Sequence, residues 1–244
     1  MDFVSEYAAN VDAVLQAIWR EERPAIDEAG RMLADSLAAD GMLYVFGCGH
    51  SHMIEEELFY RAGGLGAVCP LFESSIMLHE GAAKSSKIER MSGYAQLVID
   101  RYDIGPKDCF LAVSSSGINP FIIEMAQLAR EKGAKVVGIS AFGYKAKPSR
   151  HKDGLHLPDV CDLCIDNHVP VGDASVAVCE DGTKAGPVSS IASLAIADAM
   201  VLAACQQLRQ RGMDPEVFRS GNCAGGDEYN GRLIQRFGAR VRSL

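Results

Sequence analysis

The chain has 244 residues, 48% of them hydrophobic, and carries a formal net charge of −8 with 24 basic and 32 acidic residues. That length suits one generous α/β domain, which buries roughly 70% or more of the surface its unfolded chain exposes, and leaves no room for a second independent core. The basic residues are spread along the chain outside a short run of Arg232, Arg236, Arg240 and Arg242, so a nucleic-acid surface, which needs a clustered basic face, is not expected. The most apolar segment, Val188 to Cys205, is interrupted by Asp198 and several serines, and no membrane span is expected from it. Asp2, Glu6 and Asp12 stand where a secretory signal would place a basic and then an apolar region, so the eight cysteines read as reduced thiols and the protein as cytoplasmic.

In chain order, Val4, Tyr7, Val11, Val14, Leu15 and Ile18 recur at helical spacing, and Pro24 opens a second run through Ile26, Ala29, Leu33 and Leu37. These two leading helices fill residues 1–40. Met42 to Phe46 is a continuous apolar run and predicts a buried parallel strand. It ends in Gly47-Cys48-Gly49-His50-Ser51 and feeds a helix over 51–62, where Glu55, Glu56 and Glu57 read as a solvated face. His50 and His52 flank Ser51 without a third ligand nearby, so His50 is read as a ligand-contacting residue and no metal site is expected.

Ala67 to Phe72 predicts a second strand. The connection after it is long and rich in ionisable groups, including Glu73, His79 and Glu80, and such connections beside a sheet edge tend to be functional. A helix over 93–101 and a Gly105-Pro106 turn precede the third strand, Cys109 to Val113, which ends in Ser114-Ser115-Ser116-Gly117-Ile118-Asn119. Asn119 suits an N-cap and Pro120 the first helical position, so a helix over 120–132 starts with its free N–H groups facing the serines. Val136 to Ser140 and Asp159 to Asp166 predict the fourth and fifth strands. Within the latter, Cys161 and Cys164 are expected to face opposite sides and to be structural. His168 and Asp173 follow the fifth strand on the same edge as both loops. The helix over 187–211 is apolar on most sides and reads as buried by the sheet or by a partner subunit, with Asp198 needing a hydrogen-bonding partner. Residues 41–212 thus form the main body and 213–244 a tail.

This alternation predicts an α/β three-layer, doubly wound sandwich around a five-stranded parallel sheet. Two Gly- and Ser-rich loops at strand ends, each opening a helix, favour an anion: the backbone N–H groups point outward and the hydroxyls of Ser51, Ser114, Ser115 and Ser116 add donors. The segments VFGCGHSH and AVSSSGINPFIIEMAQLAREKGAKVVGIS resemble the two signature segments of the SIS (sugar isomerase) domain, over about residues 41 to 205. This is the phosphosugar-binding module of phosphoheptose isomerases, glucosamine-6-phosphate synthases, N-acetylmuramic acid 6-phosphate etherases and some repressors. The family's second loop usually reads Ser-x-Ser-Gly-x-Thr; Asn119 replaces the Thr and loses a hydroxyl.

The resemblance implies a phosphorylated sugar as ligand, held by Gly47, Gly49, His50, Ser51, Ser114, Ser115, Ser116, Gly117, Asn119 and Asp173. It further implies proton transfer by a glutamate from the connection after the second strand, mapped to Glu80 with His79 beside it and Glu73 as runner-up; from their place on the same edge as both loops, His168 and Asp173 are candidates for sugar hydroxyl contacts or acid/base work, Asp173 alternatively capping a turn. Aldose-ketose isomerisation without a cofactor is the expected activity; an etherase-like lyase and a non-catalytic sugar-phosphate sensor are the alternatives. By the same resemblance the leading helices pack against another subunit in a homo-oligomer. The tail then either closes over a neighbouring site, with Ser220, Asn222, Asp227, Glu228 and Asn230 near it, or locks a dimer.

Overall fold

A computed structural model describes residues 2–244. Helices α1 (Phe3–Glu21) and α2 (Arg23–Ala38) precede β1 (Leu43–Gly47), and α3 (Met53–Leu58) follows it. Then come β2 (Val68–Pro70), α4 (Ala82–Ile88), α5 (Tyr94–Ile99), β3 (Cys109–Val113), α6 (Pro120–Glu131), β4 (Lys135–Ser140), α7 (Leu157–Val160) and β5 (Leu163–Asp166). The chain finishes with a hairpin, β6 (Ala174–Ala177) and β7 (Lys184–Pro187), the long α8 (Ser189–Gln210) and α9 (Gly226–Phe237).

The five strands β1 to β5 form one parallel sheet in the order β2-β1-β3-β4-β5. The central strands β1 and β3 are buried along their whole length because both sheet faces are covered there. Side chains alternate between the faces: Leu43, Val45, Leu111, Val113, Val137 and Ile139 pack under α1, α2 and α8, while Tyr44, Phe46, Phe110, Ala112 and Val136 pack under α5, α6 and α9. The helices α2 and α8 approach closely at Gly30, where a Cβ would lie 2.4 Å from the Ala203 Cβ. Glycine there lets the two helix backbones meet, which shields much of α8.

Several expectations are corrected. The fifth strand starts only at Leu163, because Pro158 and a capping box between His156 and Asp159 turn residues 157–160 into one helical turn. Cys161 therefore precedes the strand, and its sulfur and that of Cys164 share one side of the sheet over Gly138. The short hairpin β6–β7 is an addition to the expected elements. Within this chain α8 buries Ala192, Ile196, Ala197, Met200 and Ala204 and leaves Ile191, Asp198 and Leu202 exposed. In the tail, Phe218, Leu233, Phe237 and Val241 are buried against the β2 side of the sheet, and Phe218 exchanges backbone hydrogen bonds with Gly63 and Gly64. Asn230 clamps the backbone of Arg219 through both its amide nitrogen (2.8 Å) and its oxygen (2.9 Å). The tail thus packs on its own chain, near Asp40, which Arg236 and Arg240 contact.

Candidate functional site

The order β2-β1-β3-β4-β5 reverses between β1 and β3. Neighbouring crossovers leave the sheet toward opposite faces at such a point, so a crevice opens beyond the strand ends. Both Gly- and Ser-rich loops lie there, one after each strand.

The first loop is braced from within its own unit. At the end of β1 the Gly47 N–H donates to Glu55 Oε1 on α3 (2.7 Å), and a Cβ on Gly47 would lie 2.5 Å from the Ser51 carbonyl oxygen. Gly49 turns with φ of +59°, and Ser51 N–H donates to the Cys48 carbonyl (3.0 Å). His52 is buried, its Nδ1 bonded to the Gly49 carbonyl and its Nε2 facing Glu56 (3.3 Å), so it holds the loop, while His50 stays exposed at the rim. The expected solvated face is corrected at Glu55, which is fully buried with Oε2 unpartnered. Burial pushes its carboxyl well above the ordinary range, against the pull of the Gly47 N–H.

The second loop is braced from outside. Ser114 Oγ accepts the Gly117 N–H (3.1 Å), but the other ties come from later segments: Ala141 N–H to the Ser115 carbonyl (2.9 Å) and Leu157 N–H to the Gly117 carbonyl (2.8 Å). Gly117 has φ of +60° and faces Ser140 Oγ, 2.6 Å from where a Cβ would be. Asn119 occupies the N-cap position of α6, but its side chain does not cap; its Oδ1 accepts from Arg150 Nη1 (2.9 Å). Glu89 stands beside it. Burial raises the Glu89 carboxyl above its usual range, and Arg90, Arg150 and a hydrogen bond with Asn119 only partly offset that.

The loops meet. His50 and Ser51 from the first and Ser115 from the second line one small depression of about 10 Å³, completed by Ser189, Ser190 and Ser193 at the start of α8. Fully buried Asn167 spans it from below, its Nδ2 donating to Ser115 Oγ (3.4 Å) and Ser193 Oγ (3.3 Å). Seven residues line it, the five serines and His50 giving polar groups and Ile54 of α3 an apolar wall. Ser114 and Ser116 are half-buried in the same loop.

The remaining candidates are held differently. Asp173 caps α8, accepting from Val188 N–H (3.0 Å), Ser189 N–H (2.8 Å) and Ser189 Oγ (2.7 Å), so it orients Ser189. His168, in the left-handed region with φ of +54°, binds Glu22 between α1 and α2 through Nε2 (3.1 Å). His79 and Glu80 are exposed on a 3-10 turn whose Leu78 reaches over Gly49; the His79 ring lies 6.2 Å from that of His52. Glu73 is buried. Desolvation raises its carboxyl, but hydrogen bonds from Ser75 and Tyr94 and the charge of Arg101 outweigh this and hold it low. A larger hollow of about 550 Å³ lies at the opposite edge, between Tyr102, Lys107 and Arg242; it has neither glycine loop nor helix start. Among the described residues no three or more His, Cys, Asp or Glu side chains group to hold a metal ion.

Sequence reasoning missed Glu55, Glu89, Asn167 and the α8 serines. Glu55 had one readable signal: positions 51, 55 and 58 share a helix face, with Leu58 on it.

Residues 6–141 match the SIS domain. A UPF0309 protein of Geobacillus kaustophilus is 40% identical over 99% of this chain and 96% of its own length. Among solved structures, a phosphoheptose isomerase from Neisseria gonorrhoeae has a similar fold, with a TM-score of 0.56 at 16% identity over 82% of this chain and 97% of that one. The Vibrio vulnificus NanR protein, complexed with ManNAc-6P, has a TM-score of 0.55 at 16% identity over 97% of this chain and 70% of that one. From the switch-point loops, the sheet order and these likenesses together, the chain belongs to the SIS domain family.

Proposed function

We propose that this protein binds a phosphorylated sugar with its phosphate between the two loops and interconverts the aldose and ketose forms. The observation that carries the reading is the shared depression of Ser51, Ser115 and the α8 serines at the β1–β3 switch point. The serine hydroxyls and the start of α8 favour a dianion there, so the phosphate supplies affinity and the sugar projects toward the rim. Isomerisation needs a base that removes the proton from the carbon beside the carbonyl and an acid that returns one to the neighbouring atom. Glu80 with His79 is the first candidate base, from the turn that covers Gly49, and His168 the candidate acid. Glu89 is a second candidate base, since its raised carboxyl suits proton transfer. The exposed Trp19 and Leu202 support assembly with a second copy across α1 and α8.

The sensor reading has its own support in the likeness to NanR, a protein bound to a sugar phosphate. Incubation with hexose, amino-sugar and heptose phosphates in deuterium oxide separates the two. An isomerase incorporates solvent deuterium beside the carbonyl, and either Glu80→Gln or Glu89→Gln abolishes incorporation while binding persists. Tight binding with no incorporation in the unaltered protein overturns the isomerase reading in favour of the sensor.

A further inference from the structure

Gly138 stands in the middle of β4, paired with Cys164 of β5. A glycine inside a strand weakens it and marks a place where something else approaches the backbone. What approaches here is sulfur: a Cβ on Gly138 would lie 2.7 Å from Cys161 Sγ and 2.9 Å from Cys164 Sγ. The two thiols therefore fill one small space.

Their backbone is fixed in this arrangement by Asp162, one of the two residues between them. Asp162 N–H donates to the Val136 carbonyl (2.9 Å), and Asp162 Oδ2 accepts the Val136 N–H (2.8 Å). Arg130 adds an ion pair to the same carboxylate (3.3 Å). The turn that brings Cys161 back over Cys164 thus exists before any bond forms between them. Both cysteines are free and partly exposed.

The pair is also wired to the second loop. Cys161 Sγ–H donates to the Leu157 carbonyl (3.2 Å), and the Leu157 N–H holds the Gly117 carbonyl (2.8 Å) across the single turn α7. A disulfide has no S–H, so its formation removes the first of these two bonds.

We propose that Cys161 and Cys164 are a reversible dithiol–disulfide site whose oxidation loosens the hold of α7 on the Gly117 loop. The oxidant class is a small-molecule disulfide. Cys164, as thiolate, attacks one of its sulfurs and releases one small thiolate, leaving a mixed disulfide on Cys164. Cys161 then loses its proton to solvent, and its sulfur displaces the second small thiolate. Two protein thiols become one disulfide, the oxidant is reduced to two thiols, and the two released protons end on them. Hydrogen bonding with Cys164 and burial raise the Cys161 thiol well above its ordinary range, so the second step quickens as pH rises.

The test is exposure of the reduced, full-length protein to oxidised glutathione, read by intact mass, disulfide mapping and amide hydrogen exchange. The expected product has lost two hydrogens, links Cys161 to Cys164 and exchanges several-fold faster at the Leu157 and Gly117 amides. Cys161→Ser and Cys164→Ser each abolish the linked product, whereas Cys179→Ser, in an exposed position, retains it. An unchanged mass, a stable glutathione adduct or a link through another cysteine overturns the site. A correct disulfide with unchanged exchange at Leu157 and Gly117 overturns its coupling to the loop. None of these readouts depends on a sugar phosphate.

Discussion

The two strand–loop–helix units at the switch point look alike in sequence and are held in opposite ways. The loop after β1 is tied down by its own unit, through the Gly47 amide on buried Glu55 and the Gly47 to Ser51 contact. The loop after β3 depends on residues that arrive later in the chain: Ala141 from the end of β4, Leu157 from α7 and Arg150 from the connection between them. The first is a local device that forms with its hairpin of strand and helix. The second is completed only when the β4–β5 half of the sheet docks, so its shape reports on distant structure.

The sharpest way to break that contrast is Gly47→Val. The new Cβ meets backbone atoms of Ser51 that cannot move aside, so a loss of about 3 kcal/mol in urea unfolding is expected, together with loss of ligand binding. A loss under about 0.5 kcal/mol, the range of an ordinary surface change, would show that the first loop is not self-packed.

Next is Glu55. Glu55→Ala leaves the buried Gly47 N–H without an acceptor and opens a small cavity, for an expected loss of about 2 kcal/mol. Glu55→Gln retains an acceptor oxygen and is expected to cost under about 1 kcal/mol. The pH dependence separates the variants further. The folded-state carboxyl titrates well above its unfolded value of 4.5, so between those two values the native state binds more protons than the unfolded one. Its contribution is fully present below 4.5 and is lost as pH rises toward the folded value. Glu55→Gln removes that slope; equal slopes in both proteins contradict a raised carboxyl at Glu55.

Gly117→Ala has a smaller effect, because the nearest atom is the rotatable Ser140 hydroxyl and the main cost is the left-handed backbone. About 1 kcal/mol is expected in urea unfolding, with faster exchange of the Leu157 amide. If the Leu157 amide is unaffected, the second loop is not held through α7.

What the sequence makes legible follows from the same distinction. Leu43 to Phe46 and Cys109 to Val113 read as buried strands because two covered faces demand unbroken apolar runs, and the glycines and serines after them mark both loops. The start of the fifth strand, expected at Asp159, is displaced to Leu163 because Asp159 and Val160 belong to the turn that the capping box of His156 and Asp159 fixes. The β6–β7 hairpin escaped notice because its strands are only four residues each and contain small residues, a glycine and a proline, with no apolar run, though Asp181-Gly182 marks its turn. Three consecutive glutamates hid the burial of Glu55. The meeting of Ser51 with Ser115 and the α8 serines depends on which strands pair and where α8 docks, long-range choices that no local pattern encodes.

The most direct test is a calorimetric titration with a series of sugar phosphates and their dephosphorylated parents, for the unaltered protein and for Ser51→Ala and Ser115→Ala. The account predicts that only phosphorylated sugars bind and that each serine, one from each loop, contributes about 1 kcal/mol, or roughly a five- to tenfold loss in affinity. Binding that ignores the phosphate, or that survives both substitutions unchanged, would contradict a shared anion site between the loops.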